Sequence, residues 1–273
     1  MFELAEVSVE SSSAGFKIRR VPEHLRTENV RAYEPQIITI GPLNHHLRRK
    51  KTHLAEMQKH KVLYLKKLPQ RRGEDLSNLL QRRVEDLSNL VRYWVTMREL
   101  EKRARCCYAE PIEMSKGYVA SMLLLDACFI VEIFRKFKLD LWDDDDNVFW
   151  TSWVRQKLGR DLLLADNQLP LFVLQEFYDI TKMPEDEETN FQDLILGFFS
   201  KGVPRFIPLP YAKNWNFIIS ATNLKEAGTK FEKIEGESLF SIDFDIDAGI
   251  IKIPALTIDD DTESFFRNIS VYE

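Results

Sequence analysis

Catalytic signatures are missing from this 273-residue chain. It holds no GxGxxG or GxxxxGK[ST] loop to cradle phosphates, no GxSxG turn to present a nucleophile, and no HExxH or CxxC pair to grip a metal. Cysteine is also scarce. Cys106 and Cys107 are adjacent and Cys128 stands alone, so a disulfide framework is excluded, because a bridge needs separated, facing Cβ atoms. The opening MFELAEVSVE carries acidic residues where a secretory signal would have a basic region and an apolar run. Both features point to a reducing compartment. Long hydrophobic runs are absent too: the most apolar stretch, 118–134, is interrupted by Asp126 and Glu132 and falls short of the roughly 20 residues of a membrane span.

What is present is material for a large core. Hydrophobic residues make up 44% of the chain, with 18 Phe and 5 Trp, which argues against disorder. The net charge of -5 is unevenly spread: residues 1–110 hold 22 Lys/Arg against 14 Asp/Glu, and the remainder 16 against 29. That polarity can steer a charged partner, although solvated charge on both halves is the plainer reading.

Periodicity predicts a mainly α fold with a small antiparallel β-sheet near the C-terminus, an α+β protein with a large helical core. Residues 1–16 read as a flexible lead, 17–202 as the helical core domain, and 203–273 as a linker plus a small β-meander and terminal helix packed on the core. Ile37 to Ile40 reads as a short strand closed by Gly41-Pro42, and Leu47 to Leu68 as a helix. The strings QRRGEDLSNLL (70–80) and QRRVEDLSNLV (81–91) agree at nine of eleven positions. Eleven residues make almost three helical turns, so this duplication lengthens a helix while keeping Leu76, Leu79, Leu87 and Leu90 on nearly one face. Ser115 caps a helix from Lys116 to about Lys138 whose centre is apolar nearly all round. Pro170 divides the helical stretch from Asp161 to Tyr178, and 191–199 is a further apolar helix. Beyond Pro204, Pro208 and Pro210, alternation sets Phe240, Ile242, Phe244 and Ile246 against Ser241, Asp243 and Asp245, with 230–234 and 250–253 flanking this strand.

Among candidate sites, His46, His53 and His60 are spaced by seven with Glu56 beside them. Residues seven apart on a helix lie about 10 Å from each other, and the surrounding lysines and arginines repel a dication, so a basic surface is the better reading. Nucleic acid is disfavoured as a partner, since no zinc-finger, RNP or basic-zipper pattern accompanies the basic run. Asp126 lies inside the apolar helix, where an unpaired carboxylate is costly. It is either a general acid or base with a raised pKa or, the favoured reading, a buried carboxylate tied to an arginine such as Arg105 or to backbone donors. In Asp166-Asn167-Gln168-Leu169-Pro170 the polar side chains can cap the next helix or satisfy backbone groups at the break.

Taken in order, several strings resemble the plant family known as domain of unknown function 247. They are Val21-Pro22 with Leu25-Arg26, Ala32-Tyr33-Glu34-Pro35, Ile40-Gly41-Pro42 before His45, and Arg105-Cys106-Cys107-Tyr108. Leu125-Asp126-Ala127-Cys128-Phe129, Asp161-Leu162-Leu163-Leu164 and the Asn167 to Leu174 string follow, then Ser220-Ala221-Thr222, Ile253-Pro254 and Phe266-Arg267-Asn268. Leu43-Asn44 and Ala165-Asp166 depart from the family's usual residues. The resemblance marks Arg26, Asp126, Asp161, Asn167, Gln168 and Pro170 as structural motif positions; no catalytic residue, cofactor or metal is expected.

Grass members resembling this chain are implicated at self-incompatibility loci. The expectation is therefore a non-catalytic recognition protein, in plant reproduction or defence signalling, with an unidentified protein partner that includes related family members. Full-length relatives are usually membrane-anchored, whereas no span is expected here; a cytoplasmic location with peripheral plasma-membrane association follows. Two rival readings are a hydrolase or transferase using Asp126 or the His45–His60 region, and a truncated regulatory form competing with anchored relatives.

Overall fold

The computed structural model describes residues 17–68, 79–140, 142, 151–182, 186, 189–200, 220–234, 242–255 and 258–272. Short helices α1 (Glu23–Glu28), α2 (Val30–Tyr33) and α3 (Leu47–Lys50) lead into α4 (Thr52–Lys67), α5 (Leu79–Cys106) and α6 (Lys116–Leu139). Helices α7 (Ser152–Leu162), α8 (Leu171–Ile180) and α9 (Phe191–Ser200) complete the helical body. Then come α10 (Ala221–Glu226), strands β1 (Lys230–Ile234), β2 (Asp243–Asp245) and β3 (Ile250–Pro254), and α11 (Thr262–Ile269), which ends in a single 3-10 turn, Ser270–Tyr272. The protein is α+β and mainly helical, with its sheet near the C-terminus.

Helix α6 organises the core because it is apolar nearly all round, with a few buried charges that are paired. Ser115 opens it, its hydroxyl accepting the Tyr118 N–H at 3.3 Å. Ala127, Cys128, Phe129 and Val131 are wholly buried, and α4, α5, α8 and α9 all pack against this helix. Phe129 meets Tyr64 of α4 with ring centroids 5.2 Å apart, and Phe134 meets Phe198 of α9 at 4.8 Å. Burying each such side chain contributes about 1.5–3 kcal/mol. At 24 residues α6 is long enough to cross a bilayer, contrary to the reading from its shorter apolar run, but 78% of its apolar window is buried inside the protein. Burial, rather than length, identifies it as a core helix.

Several sequence expectations are corrected. The helix expected over 47–68 is broken at Lys51, whose extended backbone (φ -120, ψ 113) separates α3 from α4. His46 therefore precedes α3 while His53 and His60 lie on α4, so the seven-residue series does not share one helix. On α5, the buried series is Tyr93, Met97 and Ala104, whereas Leu87 faces solvent. Of the duplicated leucines whose side chains are described, Leu90 packs against the core and Leu87 does not; the first copy of the repeat, up to residue 78, lies outside the described residues.

The sheet is mixed, not purely antiparallel, with strand order β1-β3-β2. β3 pairs in parallel with β1 and antiparallel with β2. The turn at 246–249, with Gly249 at φ 62, joins β2 to β3 as a hairpin, and β1 runs parallel alongside β3. Phe240 and Ser241 of the expected strand lie outside the described residues, as does the proline-punctuated linker. Helix α11 docks beside α2: the Asn268 amide donates to the Ala32 carbonyl at 2.9 Å and its oxygen accepts the Ala165 N–H at 2.9 Å.

Candidate functional site

The strand expected at Ile37–Ile40 has no partner strand among the described residues. This stretch is nonetheless buried, with Ile38, Thr39 and Ile40 at most 1% exposed. Buried backbone N–H groups must be paired, and here side chains from the helices replace a neighbouring strand. Asp161, at the end of α7, accepts the N–H groups of Gln36 (2.9 Å), Ile37 (2.6 Å) and Ile38 (3.0 Å). The Asn167 oxygen accepts the Ile40 N–H at 2.7 Å, while its amide donates to the carbonyls of Ile38 and Asp161. Asp126 of α6 accepts the Gly41 N–H at 2.8 Å.

Two cations close the far side. Lys61 of α4 donates to Asp126 at 2.5 Å and to the Thr39 carbonyl at 2.6 Å. Arg48 of α3 reaches Asp126 at 3.0 Å and holds both the hydroxyl and the carbonyl of Thr39. Both carboxylate oxygens of Asp126 are thus occupied. Arg105, expected as its partner, instead pairs with Glu101 and donates to the carbonyls of Ile112 and Met114. Asp166 draws in Arg26 and the Asn44 amide. Gln168 donates to the Leu162 and Leu164 carbonyls at 2.7 and 2.9 Å, and its own carbonyl accepts the Tyr108 hydroxyl at 2.9 Å.

Five of the six expected positions therefore converge on one polar knot, and Pro170 stands at its edge as the residue preceding α8. The expected capping role is not what Asp166 and Asn167 perform. The N-cap of α8 is Pro170, without a side-chain cap; the amides do satisfy the carbonyls of Asp161, Leu162 and Leu164 at the break between helices, as expected, and Asn167 in addition secures Ile38 and Ile40 from the other side of the fold.

Sequence reasoning passed over Lys61 and Arg48. The signal for Lys61 was available: it shares the buried face of α4 with Leu54, Met57 and Tyr64, and a lysine inside an apolar stripe needs a buried carboxylate. The same logic marks Glu132 and Arg135 on α6, whose ion pair at 2.9 Å is fully buried. Arg135 also reaches Asp186 at 2.9 Å and the Thr181 hydroxyl at 3.0 Å.

Gly41 shows how tightly the knot is drawn. Its φ of 67 is left-handed, and a Cβ there would lie 2.5 Å from the Gln168 backbone oxygen. Gly41→Ala is expected to lower stability by about 2 kcal/mol or more, measured as a drop in the urea unfolding midpoint.

The electrostatics separate the two central carboxylates. Burial pushes Asp161 up to about 6 despite the three N–H groups it accepts. Burial would also raise Asp126, but the charges of Lys61 and Arg48 outweigh it and hold the group below the ordinary value. Burial likewise drives the Lys61 ammonium down to about 7, with Asp126 pulling the other way.

The histidines stand apart from this knot. His45 hydrogen-bonds the Tyr118 hydroxyl at the surface. His46 is lowered by partial burial and by the nearby charges of Arg20 and Lys50. Glu56 pairs with Lys59 at 2.7 Å.

Beside the knot opens an apolar groove of about 600 Å³. Ile130, Phe134, Leu162, Leu174, Ile195 and Phe199 are among the residues that line it. Asn167, Gln168 and Pro170 border it, so the groove and the knot share a wall.

Comparison with known proteins agrees with the order of motifs. No solved structure matches the chain. A protein of Arabidopsis thaliana described as UPF0481 protein At3g47200 is 29% identical over 175 residues, covering 63% of this chain and 33% of that relative. The chain thus matches about a third of that relative's length. The model of the family described as plant protein of unknown function, DUF247, matches residues 18–210 and 208–273. Nearly the whole described chain, knot included, falls within these two matches, and the chain therefore belongs to the DUF247 family of plant proteins.

Proposed function

We propose that this protein is a non-catalytic recognition module that binds another protein through the open face of its small sheet. The observation that carries this reading is a row of apolar side chains in register across three strands. Phe231 of β1 pairs with Ile251 of β3, which pairs with Phe244 of β2. Alternation puts Ile242, Ile246 and Ile253 on the same side. Phe244 is 52% exposed and Ile246 79%. Clustered exposed apolar residues of this kind mark interaction surfaces, whereas scattered ones need no explanation. A second apolar stripe, Leu87, Val91, Trp94 and Val95, lies exposed on α5.

The polar groups favour the same reading. Asp126 and Asp161 are sealed from solvent and engaged with backbone N–H groups or cations, an arrangement suited to holding chain together. Recognition in plant reproduction or defence, at a cytoplasmic site with peripheral association at the plasma membrane, is the setting we propose. Membership of a plant family is compatible with it.

Proximity labelling in plant tissue, followed by binding of the purified partner, tests the reading. Phe244→Asp should weaken the recovered interaction by about tenfold or more while leaving the thermal midpoint within a few degrees. Turnover of a substrate in a broad hydrolase and transferase panel, abolished by Asp126→Asn with the fold intact, would instead establish the enzymatic alternative.

A further inference from the structure

We infer that the groove beside the knot binds a single-chain amphiphile with a carboxylate head, such as a medium-chain fatty acid. Its lining is mainly apolar, and its side-chain amides are already engaged. The Asn167 and Gln168 amides that border it already donate to the carbonyls of Ile38, Asp161, Leu162 and Leu164. What remains is aliphatic and aromatic surface, with a volume in the usual range for small-molecule pockets, about 300–1,000 Å³.

No charged side chain is among the lining residues, and two cations stand beside residues that line the groove. The Arg103 guanidinium lies 3.8 Å over the ring of Phe172, which lines the groove. Arg103 and Lys17 both act electrostatically on Cys107, another lining residue, and Lys17 immediately precedes Ile18, which also lines it. Both cations are exposed, and neither is paired with a carboxylate of a described residue. The first turn of α8 begins at Leu171 on the same groove, adding the positive end of that helix. No acidic side chain lines the groove to oppose an anion. An apolar trough with a cationic edge complements a hydrocarbon tail that ends in a carboxylate; a neutral lipid would fill the trough and leave the rim unused.

The test uses the purified full chain and three ligands, dodecanoate, dodecanol and methyl dodecanoate, in calorimetric titrations. Dodecanoate should bind saturably, with a negative heat-capacity change, and more tightly than either neutral ligand. Arg103→Glu should weaken dodecanoate by about fivefold and leave dodecanol unchanged, as expected for one exposed charge at the rim. Leu171→Asp, at a position 60% exposed and therefore tolerant of substitution, should weaken dodecanoate by placing a like charge and a polar group at the mouth. Circular dichroism of both variants should match the wild type. Absence of saturable dodecanoate binding, equal affinity for dodecanoate and dodecanol, or indifference to Arg103→Glu would each overturn the inference.

Discussion

Asp126→Asn should lower the free energy of unfolding by about 3–5 kcal/mol, although the side chain keeps its size and its place in the helix. The loss comes from what remains. Lys61 is fully buried and Arg48 largely so, and both use this carboxylate as their counter-charge. The new amide cannot neutralise them, and one of its polar ends must face a donor. Burial already holds Lys61 near 7, and without Asp126 the ammonium loses the charge that opposes this shift. Combining Asp126→Asn with Lys61→Met should therefore cost less than the sum of the single changes, with a coupling of about 1–3 kcal/mol in a double-mutant cycle read by urea denaturation. Additive losses would mean that the pair is not coupled.

Asp161→Ala should be comparably damaging, by about 3 kcal/mol or more, because it strands three N–H donors at once, that of Ile38 fully buried, and removes the counter-charge of the buried Arg160. The two carboxylates differ in their response to pH. Asp126 is held below its ordinary value, so its contribution is present above the unfolded pKa and is lost as pH falls through the folded one. Asp161 is raised to about 6, so between about pH 4 and 6 the folded state binds the proton more tightly than the unfolded chain. Stability contributed by this residue then grows as pH falls through that window. The advantage of wild type over Asp161→Ala should widen from pH 6 towards pH 4, whereas its advantage over Asp126→Asn should narrow as pH falls below the ordinary carboxyl range. Unfolding midpoints of the three proteins across this range would show the opposite trends.

Much of this architecture can be read from local pattern. The apolar ring of α6, its Ser115 cap, the interruption at Pro170 and the alternation from Ile242 to Ile246 each follow from side-chain period or from a residue with a fixed backbone preference. The segment 36–41 is different. Ile37 to Ile40 has the composition of a strand, but whether another strand or a set of carboxylates and amides meets its N–H groups depends on residues more than 80 positions away. Separation in sequence also hid the partners of Asp126. Arg105 is nearer in sequence, whereas Arg48 and Lys61 are brought in only because the chain breaks at Lys51 and returns α4 against α6. Strand direction in the sheet was likewise illegible, since alternation reports which face is apolar and is silent on whether β1 runs with or against β3.

Hydrogen exchange of the backbone amides at Ile37, Ile38, Ile40 and Gly41 tests the central claim, that buried side chains stand in for a missing strand, most directly. These amides should be protected in the native protein to nearly the level of core helix α6. Protection should fall locally at Ile37 and Ile38 in Asp161→Asn, at Ile40 in Asn167→Ala, and at Gly41 in Asp126→Asn. Rapid exchange at all four positions in the unmodified protein, or protection indifferent to these changes, would contradict the account.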